Sequence, residues 1–133
     1  GIAVDVEDGL IVPVVKIADQ KDVFAIAKEI QTLAEKAKTK SLDLMDMKGS
    51  TFTVTNIGSL GGLYATPIPN FPDVAILGLG RIYDKVVPLN GKIEIRKVLP
   101  ASLTFDHRVF DGAEAARFVN DLKKFLEDIG KLL

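Results

Sequence analysis

An uninterrupted apolar segment near the middle of the chain most constrains how the chain can fold. The segment DVAILGLGRI, residues 73–82, has no charged or polar side chain between Asp73 and Arg81. A strand with one face in water alternates apolar and polar residues, whereas a continuous run is typical of a strand covered on both faces. The sequence therefore predicts a buried strand here.

Further strands and two hairpins are indicated on either side of this run. The pairs Asp8-Gly9 and Asn90-Gly91 each predict a hairpin, because both favour the tight primed turns. Pro13 lacks a backbone N–H, so the second strand of the first hairpin is expected at an edge or interrupted there. The segment TFTVTN, residues 51–56, predicts another strand.

Two amphipathic helices are predicted. Asp19 is the expected N-cap of the first, and the last is expected over about 113–129, with Gly130 as its stop. A short helical turn is expected in SLDLMDMKG, residues 41–49. Each long helix has one apolar face, because its apolar residues recur every three or four positions. These are Val23, Ile26, Ala27, Ile30, Leu33, Ala34 and Ala37 in the first, and Ala115, Phe118, Val119, Leu122, Phe125, Leu126 and Ile129 in the last.

The order of these elements predicts an α/β fold of the two-layer α+β kind, a mixed β-sheet with helices packed on it. The chain has 133 residues, 47% hydrophobic and 26% charged, so a single domain over residues 1–133 is expected. Its formal net charge is −1 and no long block of one sign occurs, which argues against nucleic acid and polybasic membrane partners. No apolar run approaches the roughly 20 residues that span a bilayer.

The count of cysteine and histidine excludes several kinds of chemistry. The chain has no cysteine, which removes disulfides, thiolate metal sites and a cysteine nucleophile, and which fits an intracellular protein. A single histidine disfavours a histidine-based metal cluster, so no metal is expected. The chain opens GIAVDVEDGLIVPVV, inside a predicted strand and without an initiator Met, which we interpret as a processed chain or a piece of a longer one.

The segment LTFDHRVFDGAEAARF, residues 103–118, holds the only histidine, His107. Strand alternation places His107 on the same face as Leu103 and Phe105, in a partly desolvated position. The residue pattern alone is compatible with a packed core histidine or with a proton-transfer group. Asp111 is equally well explained as the cap of the last helix, with Glu114 three positions later completing a capping box.

The order of residues around His107 resembles a known signature. H-R-V-F-D-G fits the His-x-x-x-Asp-Gly pattern of coenzyme-A-dependent acyltransferases, and D-H-R-x-x-D-G is its narrower form. GIAVDVEDGLIVPVV, GSTFTVTNIGSLGG, PDVAILGLGRI and LPASLTFDHRVFDGAEAARF are similar, in the same order, to segments of the catalytic domain of dihydrolipoamide acyltransferases. These are the E2 components of 2-oxo acid dehydrogenase complexes, and their fold is chloramphenicol-acetyltransferase-like.

The resemblance implies an activity and three site residues. Members of this family move an acyl group between the thiols of dihydrolipoamide and coenzyme A, which are substrates, without a metal. The family's general base corresponds to His107, and partial burial would favour its neutral form. The hydroxyl residue that stabilises the oxyanion corresponds to Thr55, although a row of threonines at 51, 53 and 55 is also ordinary strand surface. The family's acid or amide four positions after the histidine corresponds to Asp111, and Asp106 and Arg108 are expected to pair and hold the loop.

The resemblance also implies partners and a location. The family forms homotrimers that assemble into a larger core, with the histidine and the hydroxyl residue contributed by different chains, and binds the E1 and E3 components of the complex. The expected location is cytoplasmic, or the mitochondrial matrix in a eukaryote. The NIGSLGGLY segment is more similar to pyruvate-type or branched-chain-type enzymes than to succinyl-type ones.

The sequence departs from the family in one respect. Nothing precedes GIAV where the family has a substantial segment, and neither a lipoyl domain nor a subunit-binding domain is expected. A non-catalytic core fragment that keeps the fold and self-association is therefore an alternative. A hydrolase, with His107 activating water, is a weaker one, because the chain has no G-x-S-x-G elbow.

Overall fold

The structure, a computed structural model, describes residues 1–128 and residue 130. Within these residues the chain forms strands, two α-helices and short 3-10 turns. The strands are β1 (Val4–Val6), β2 (Gly9–Ile11), β3 (Thr53–Asn56), β4 (Ala75–Leu79), β5 (Tyr83–Leu89), β6 (Lys92–Val98) and β7 (Ala101–Phe105). The helices are α1 (Val23–Lys38) and α2 (Gly112–Glu127), and the 3-10 turns are Ala18–Gln20, Leu44–Met47 and Gly58–Leu60.

The centre of the fold is a mixed three-stranded sheet in the order β3-β4-β7. Strand β3 is parallel to β4, with Thr55 opposite Gly78, and β7 is antiparallel to β4, with Ser102 opposite Gly78. The residues of β4 from Ala75 to Gly78 are buried, which confirms the buried strand predicted from the apolar run. The sheet's middle strand is thus the one whose sequence has no polar face.

Both predicted hairpins form, each as a separate two-stranded sheet. In the first, the turn lies one position earlier than predicted: Val6 is opposite Gly9, so the turn residues are Glu7 and Asp8, and Gly9 already belongs to β2. Strand β2 ends two residues before Pro13. In the second, Asn90 and Gly91 connect β5 to β6 with φ values of 50° and 76°. Two successive positive φ angles define a type I′ turn, the kind that matches the twist of paired strands.

Helix α1 begins three residues later than predicted. Asp19 lies in the 3-10 turn Ala18–Gln20 and is not the N-cap of α1. Asp22 is the N-cap instead, because its backbone is extended and its side chain accepts a hydrogen bond from the Ala25 N–H at 2.7 Å. The two aspartates are chemically equivalent as caps, but Asp19 lies within the 3-10 turn, so Asp22 is the one that caps α1.

Only part of the predicted apolar face of α1 is covered. Leu33 and Ala37 are buried and Ile30 is half-buried, whereas Val23 and Ala27 are exposed. A cavity of about 600 Å³ opens between the first half of α1 and the sheet, with Ile30 and Val54 among its lining residues. The predicted apolar face is therefore covered along the second half of the helix and only partly covered along the first, where Ile26 is half-buried.

Helix α2 begins as predicted and ends earlier. Asp111 accepts a hydrogen bond from the Glu114 N–H and the Glu114 carboxylate accepts one from the Asp111 N–H, which confirms the capping box. Ala115 is buried, and the Phe118 ring lies 5.6 Å from the ring of Phe52, the residue that precedes β3. The helix ends at Glu127, before the predicted stop at Gly130, and Ile129 lies outside the described residues.

The helices that the structure describes include none long and apolar enough to span a membrane.

Candidate active site

Thr55 lies in β3 on the face that also carries Thr53. Both threonines line a pocket of about 370 Å³, whereas Phe52 and Val54 line the larger cavity on the opposite face of the sheet. The predicted alternation is therefore correct for Thr53 and Thr55. Thr51 precedes the strand and is exposed, so it does not extend the row.

A buried carboxylate fixes the strand next to Thr55. Asp73 accepts hydrogen bonds from the Thr53 hydroxyl at 2.6 Å and from the Ser50 hydroxyl at 2.7 Å, and Thr53 and Asp73 are both buried. A buried carboxylate requires such donors, because an unpaired charge in the interior costs several kcal/mol or more. The sequence analysis missed this interaction. The acidic residue that opens the buried apolar run is a sequence signal for a buried carboxylate, but it does not indicate which hydroxyls donate to it.

His107 lies two residues after the end of β7, at the start of the turn that leads into α2. The Asp106 N–H donates to the Val74 carbonyl at 2.8 Å and extends the strand pairing by one residue, and the Val109 N–H then closes the turn on the Asp106 carbonyl at 3.0 Å. The His107 ring lies 5.6 Å from the ring of Phe105, so the two residues share a side as predicted.

The predicted partial burial of His107 is wrong for a single copy of the chain. The side chain is exposed, because the chain leaves the sheet at Asp106 and His107 lies in the turn rather than in the strand. Phe105 takes the neighbouring inward position and stacks against Phe110, with the ring centres 4.8 Å apart. An exposed imidazole is free to meet a group from outside the chain.

Asp106 and Arg108 form the predicted ion pair. The Arg108 Nε donates to Asp106 Oδ1 at 2.9 Å and its Nη2 donates to Oδ2 at 2.6 Å, while the Arg108 N–H also donates to Oδ1. These hydrogen bonds favour the charged carboxylate, so the Arg108 guanidinium lowers the pKa of Asp106 to about 2. The pair holds the backbone on either side of His107.

Asp111 caps α2, and its carboxylate is directed at the Glu114 N–H. The first turn of α2 is therefore anchored four positions after His107. This geometry supports the loop-holding role expected for Asp111, and it assigns Asp111 no contact with a reacting group.

The structure places Thr55 and His107 far apart within one copy. Thr55 of β3 and Ser102 of β7 both lie opposite Gly78 of β4, so they are at the same position along the sheet. Phe105 lies three residues further along β7. Three residues of strand and two strand spacings amount to about 14 Å, and His107 lies beyond that point. The two side chains cannot act on the same atom in one copy.

The described residues contain no group of three or more histidine, cysteine, aspartate or glutamate side chains placed to hold a metal ion.

Comparison with known proteins shows which protein family the chain resembles. Residues 1–133 match the family model described as 2-oxoacid dehydrogenases acyltransferase (catalytic domain). The dihydrolipoyllysine-residue acetyltransferase component of pyruvate dehydrogenase complex from Bacillus subtilis is 52% identical over 128 residues, covering 96% of this chain and 29% of that protein. The corresponding protein of Staphylococcus epidermidis is 49% identical, covering 100% of this chain and 31% of that protein.

Solved structures show the same relationship. The dihydrolipoamide acetyltransferase of Azotobacter vinelandii has a TM-score of 0.94 and 47% identity, covering 100% of this chain and 55% of that chain. A truncated catalytic core of the 2-oxoacid dehydrogenase multienzyme complex from Thermoplasma acidophilum has a TM-score of 0.86 and 48% identity, covering 96% of this chain and 56% of that chain. These similarities confirm the predicted chloramphenicol-acetyltransferase-like fold. The chain spans less than a third of the curated relatives and slightly more than half of the solved chains, and it belongs to the 2-oxoacid dehydrogenase acyltransferase family, within its catalytic domain.

Proposed function

We propose that the chain transfers an acyl group between dihydrolipoamide and coenzyme A. One observation carries the assignment of residues. A crystallographic and enzymatic study of the Azotobacter vinelandii relative concerns a serine, a histidine and an asparagine in its catalytic mechanism, separated by 52 and by four positions. Thr55, His107 and Asp111 are separated by the same 52 and four positions. Threonine keeps the hydroxyl of serine, and aspartate keeps the capping oxygen of asparagine.

The reaction needs a thiolate and a stabilised oxyanion. His107 takes the proton of one thiol, whose ordinary pKa is near 8.5, and the thiolate attacks the carbonyl carbon of the thioester. The new carbon–sulfur bond pushes an electron pair onto the carbonyl oxygen, where the Thr55 hydroxyl donates a hydrogen bond. Collapse breaks the old carbon–sulfur bond, and the departing thiolate takes the proton back from His107. No acyl-enzyme forms, so no protein nucleophile is required.

The separation of Thr55 and His107 supports a site shared between copies. We infer that His107 of one copy approaches Thr55 of another in a homotrimer that assembles into a larger core, with E1 and E3 as the other components of the complex. Two features support this: His107 is exposed, and Thr55 lines a pocket that is open at the surface. An atomic structure of the cubic core of a pyruvate dehydrogenase multienzyme complex is 47% identical, with a TM-score of 0.94. The proposed location is cytoplasmic, or the mitochondrial matrix in a eukaryote.

A non-catalytic core fragment is the second candidate. In this candidate the segment, which covers 55% of the solved Azotobacter vinelandii chain, keeps the fold and self-association without the activity. The two candidates differ in one measurable property, transfer to coenzyme A.

Acyl transfer between coenzyme A and dihydrolipoamide, measured on the complete protein with variants of two residues, tests the proposal. We expect His107→Ala to lower kcat by about 10²–10⁴-fold, because a positioned general base contributes that much. We expect Thr55→Val to lower kcat by about 10²–10³-fold, the usual effect of losing one oxyanion donor, and Thr55→Ser to retain activity.

Thr51→Val is the matched control, because Thr51 is exposed and outside the pocket. Equal rates for His107→Ala and the parent protein would contradict the assigned base. Transfer by the complete protein but not by residues 1–133 alone would favour the core fragment.

A further inference from the structure

The carboxylate of Asp73 joins separate segments of the chain. It accepts a hydrogen bond from the Thr53 hydroxyl in β3 at 2.6 Å, and another from the Ser50 hydroxyl, in the segment before β3, at 2.7 Å. The Asp73 N–H donates to the Asn70 carbonyl at 2.8 Å, which closes a turn and holds the carboxylate two residues before β4 begins. The start of β3 is therefore tied to the start of β4 by side chains as well as by strand pairing.

The row of threonines in and before β3 makes a two-residue slip along β4 inexpensive on that face of the sheet. Strands β3 and β4 are parallel and share four residue pairs. A slip of one residue would exchange the apolar and hydroxyl faces, whereas a slip of two keeps each face on its own side. The threonines at 51, 53 and 55 present the same side chain every two positions, so one threonine would replace another. Such a slip would move Thr55 by about 7 Å.

The two donors to Asp73 distinguish the observed register from both slipped ones, because they lie three positions apart, at Ser50 and Thr53. A two-residue slip in either direction keeps a threonine in the place of Thr53. It brings Phe52 or Lys48 into the place of Ser50, however, and neither side chain has a hydroxyl. Only the observed register supplies two hydroxyls to the carboxylate, and a buried carboxylate that loses a donor is strongly disfavoured.

We propose that Asp73 is a positioning residue for acyl transfer, because its contacts with Ser50 and Thr53 fix the register of β3 and so place the Thr55 hydroxyl. This inference rests on the proposed role of Thr55 at the oxyanion. In the observed register Thr55 lies opposite Gly78. Thr53 is fully buried and Asp73 is 7% exposed, so their contact is made within one copy and does not depend on what a neighbouring copy brings to the site.

Acyl transfer by variants of Thr53, assayed on the complete protein, tests the proposal. Thr53→Val keeps the shape of the side chain and removes one donor to Asp73. We expect it to lower kcat by about 10–100-fold, with KM values within about threefold, because a reacting group misplaced by about 1 Å loses up to about 100-fold. Thr53→Ser restores the hydroxyl and should recover most of kcat. Thr51→Val is the matched control, since it makes the same change at an exposed threonine, and it should leave kcat unchanged.

Variants of Asp73 test the carboxylate itself. Asp73→Asn accepts from one hydroxyl through its carbonyl oxygen and donates to the other through its amide, so kcat should stay within about threefold of the parent value. Asp73→Ala leaves both hydroxyls without this acceptor and should lower kcat at least as far as Thr53→Val. Rates are expressed per folded protein, with the folded fraction taken from urea unfolding. If Asp73→Ala does not fold, Ser50→Ala replaces it and should give a smaller loss of kcat, because one donor remains.

A double-mutant cycle separates positioning from a merely structural role. If the contact with Asp73 acts through the Thr55 hydroxyl, Thr53→Val should lower kcat by less than about twofold in a Thr55→Val background. The same fold-loss in both backgrounds would overturn the proposal. The structure of Thr53→Val, determined by crystallography or electron cryomicroscopy, reports the register directly. Thr55 should be displaced relative to Gly78 in this variant and should keep its place in Thr51→Val.

The outcomes distinguish this inference from the proposed function. Parental kcat in Thr53→Val and in the Asp73→Ala or Ser50→Ala variant, with Thr55→Val slowed as expected, would overturn the positioning role and keep Thr55 as the oxyanion donor. An undisplaced Thr55 in the structure of Thr53→Val would overturn the positioning role as well. Parental kcat in Thr55→Val would defeat the proposed role of Thr55 and this inference with it.

Discussion

At the scale of single residues, three aspartates of similar local appearance have three different roles. Asp106 is held by the Arg108 guanidinium, Asp111 caps α2, and Asp73 is buried and accepts from two hydroxyls. The difference lies in the donors around each carboxylate, a guanidinium, a helix N–H or core hydroxyls. Each role predicts a different effect when the aspartate or its donor is substituted.

The Asp106–Arg108 pair predicts a defined dependence of stability on pH. The pKa of Asp106 is about 2 in the folded protein, against an ordinary value of 3.8, so its stabilising contribution is present above pH 3.8 and is lost as the pH falls through 2. Arg108→Gln should return the pKa of Asp106 towards 3.8, measured by NMR titration of its carboxyl carbon. The variant should unfold at lower urea than the parent at pH 5, and this difference should shrink at pH 2. Arg117→Gln, on α2, is the control, and an unchanged Asp106 titration in Arg108→Gln would refute the assigned cause.

Asp111 predicts a different result for alanine and for asparagine. Asp111→Ala removes the oxygen that accepts from the Glu114 N–H, so the free energy of unfolding should fall by about 1 kcal/mol, whereas Asp111→Asn should stay within a few tenths of a kcal/mol. Urea unfolding of both variants measures this. Asp121→Ala, an exposed change on the same helix, should cost less than about 0.5 kcal/mol. Equal losses for the alanine and asparagine variants at position 111 would show that the cap does not depend on the side-chain oxygen.

At the scale of elements, the two halves of the apolar face of α1 differ in what covers them. Its second half packs through Leu33 and Ala37, and its first half borders the 600 Å³ cavity. The cost of removing an apolar side chain should follow this division, because burial and not residue type sets the free energy lost.

Two truncations on α1 measure this difference. Leu33→Ala should lower the free energy of unfolding by about 2–5 kcal/mol, since Leu33 is 6% exposed and its loss leaves a cavity. Phe24→Ala should change it by less than about 0.5 kcal/mol, since Phe24 is 79% exposed. Urea unfolding of the complete protein gives both values. A larger loss for Phe24→Ala than for Leu33→Ala would mean that the exposed turn of α1 is covered in the assembled protein.

At the scale of the whole molecule, the two proposed catalytic groups, Thr55 and His107, do not meet within one copy. The order β3-β4-β7 and its register place Thr55 and His107 towards opposite ends of the sheet. If neighbouring copies complete the site, a copy that lacks the Thr55 hydroxyl and a copy that lacks the His107 imidazole can together form one intact site.

Mixed assemblies of two inactive variants test this arrangement. Thr55→Val and His107→Ala are coexpressed in equal amounts, and acyl transfer is compared with that of each variant alone. In randomly mixed trimers about one quarter of the interfaces pair an intact threonine with an intact histidine, so about one quarter of the parental activity should return. A mixture no more active than its components would place both groups in the same copy and would refute the shared site.

Much of the local structure follows from short stretches of sequence. The Asn90-Gly91 turn, the Asp111–Glu114 capping box, the buried run of β4 and the alternation of Thr53 and Thr55 were all predicted correctly. Each depends on interactions between residues close in sequence or on a simple periodicity, so one segment contains the information. The motif around His107 and the segments before it likewise identified the family, because their order and spacing are properties of the sequence.

The tertiary structure decided the features that depend on distant segments. Asp22 replaces Asp19 as the cap of α1, because a 3-10 turn intervenes, and His107 is exposed because the chain leaves the sheet at Asp106. Asp73 meets Thr53 only when the sheet forms, 20 positions apart along the chain. Such contacts arise from the pairing and packing of whole elements, whose free energy is summed over many residues, and no local pattern encodes which side chains that pairing brings together.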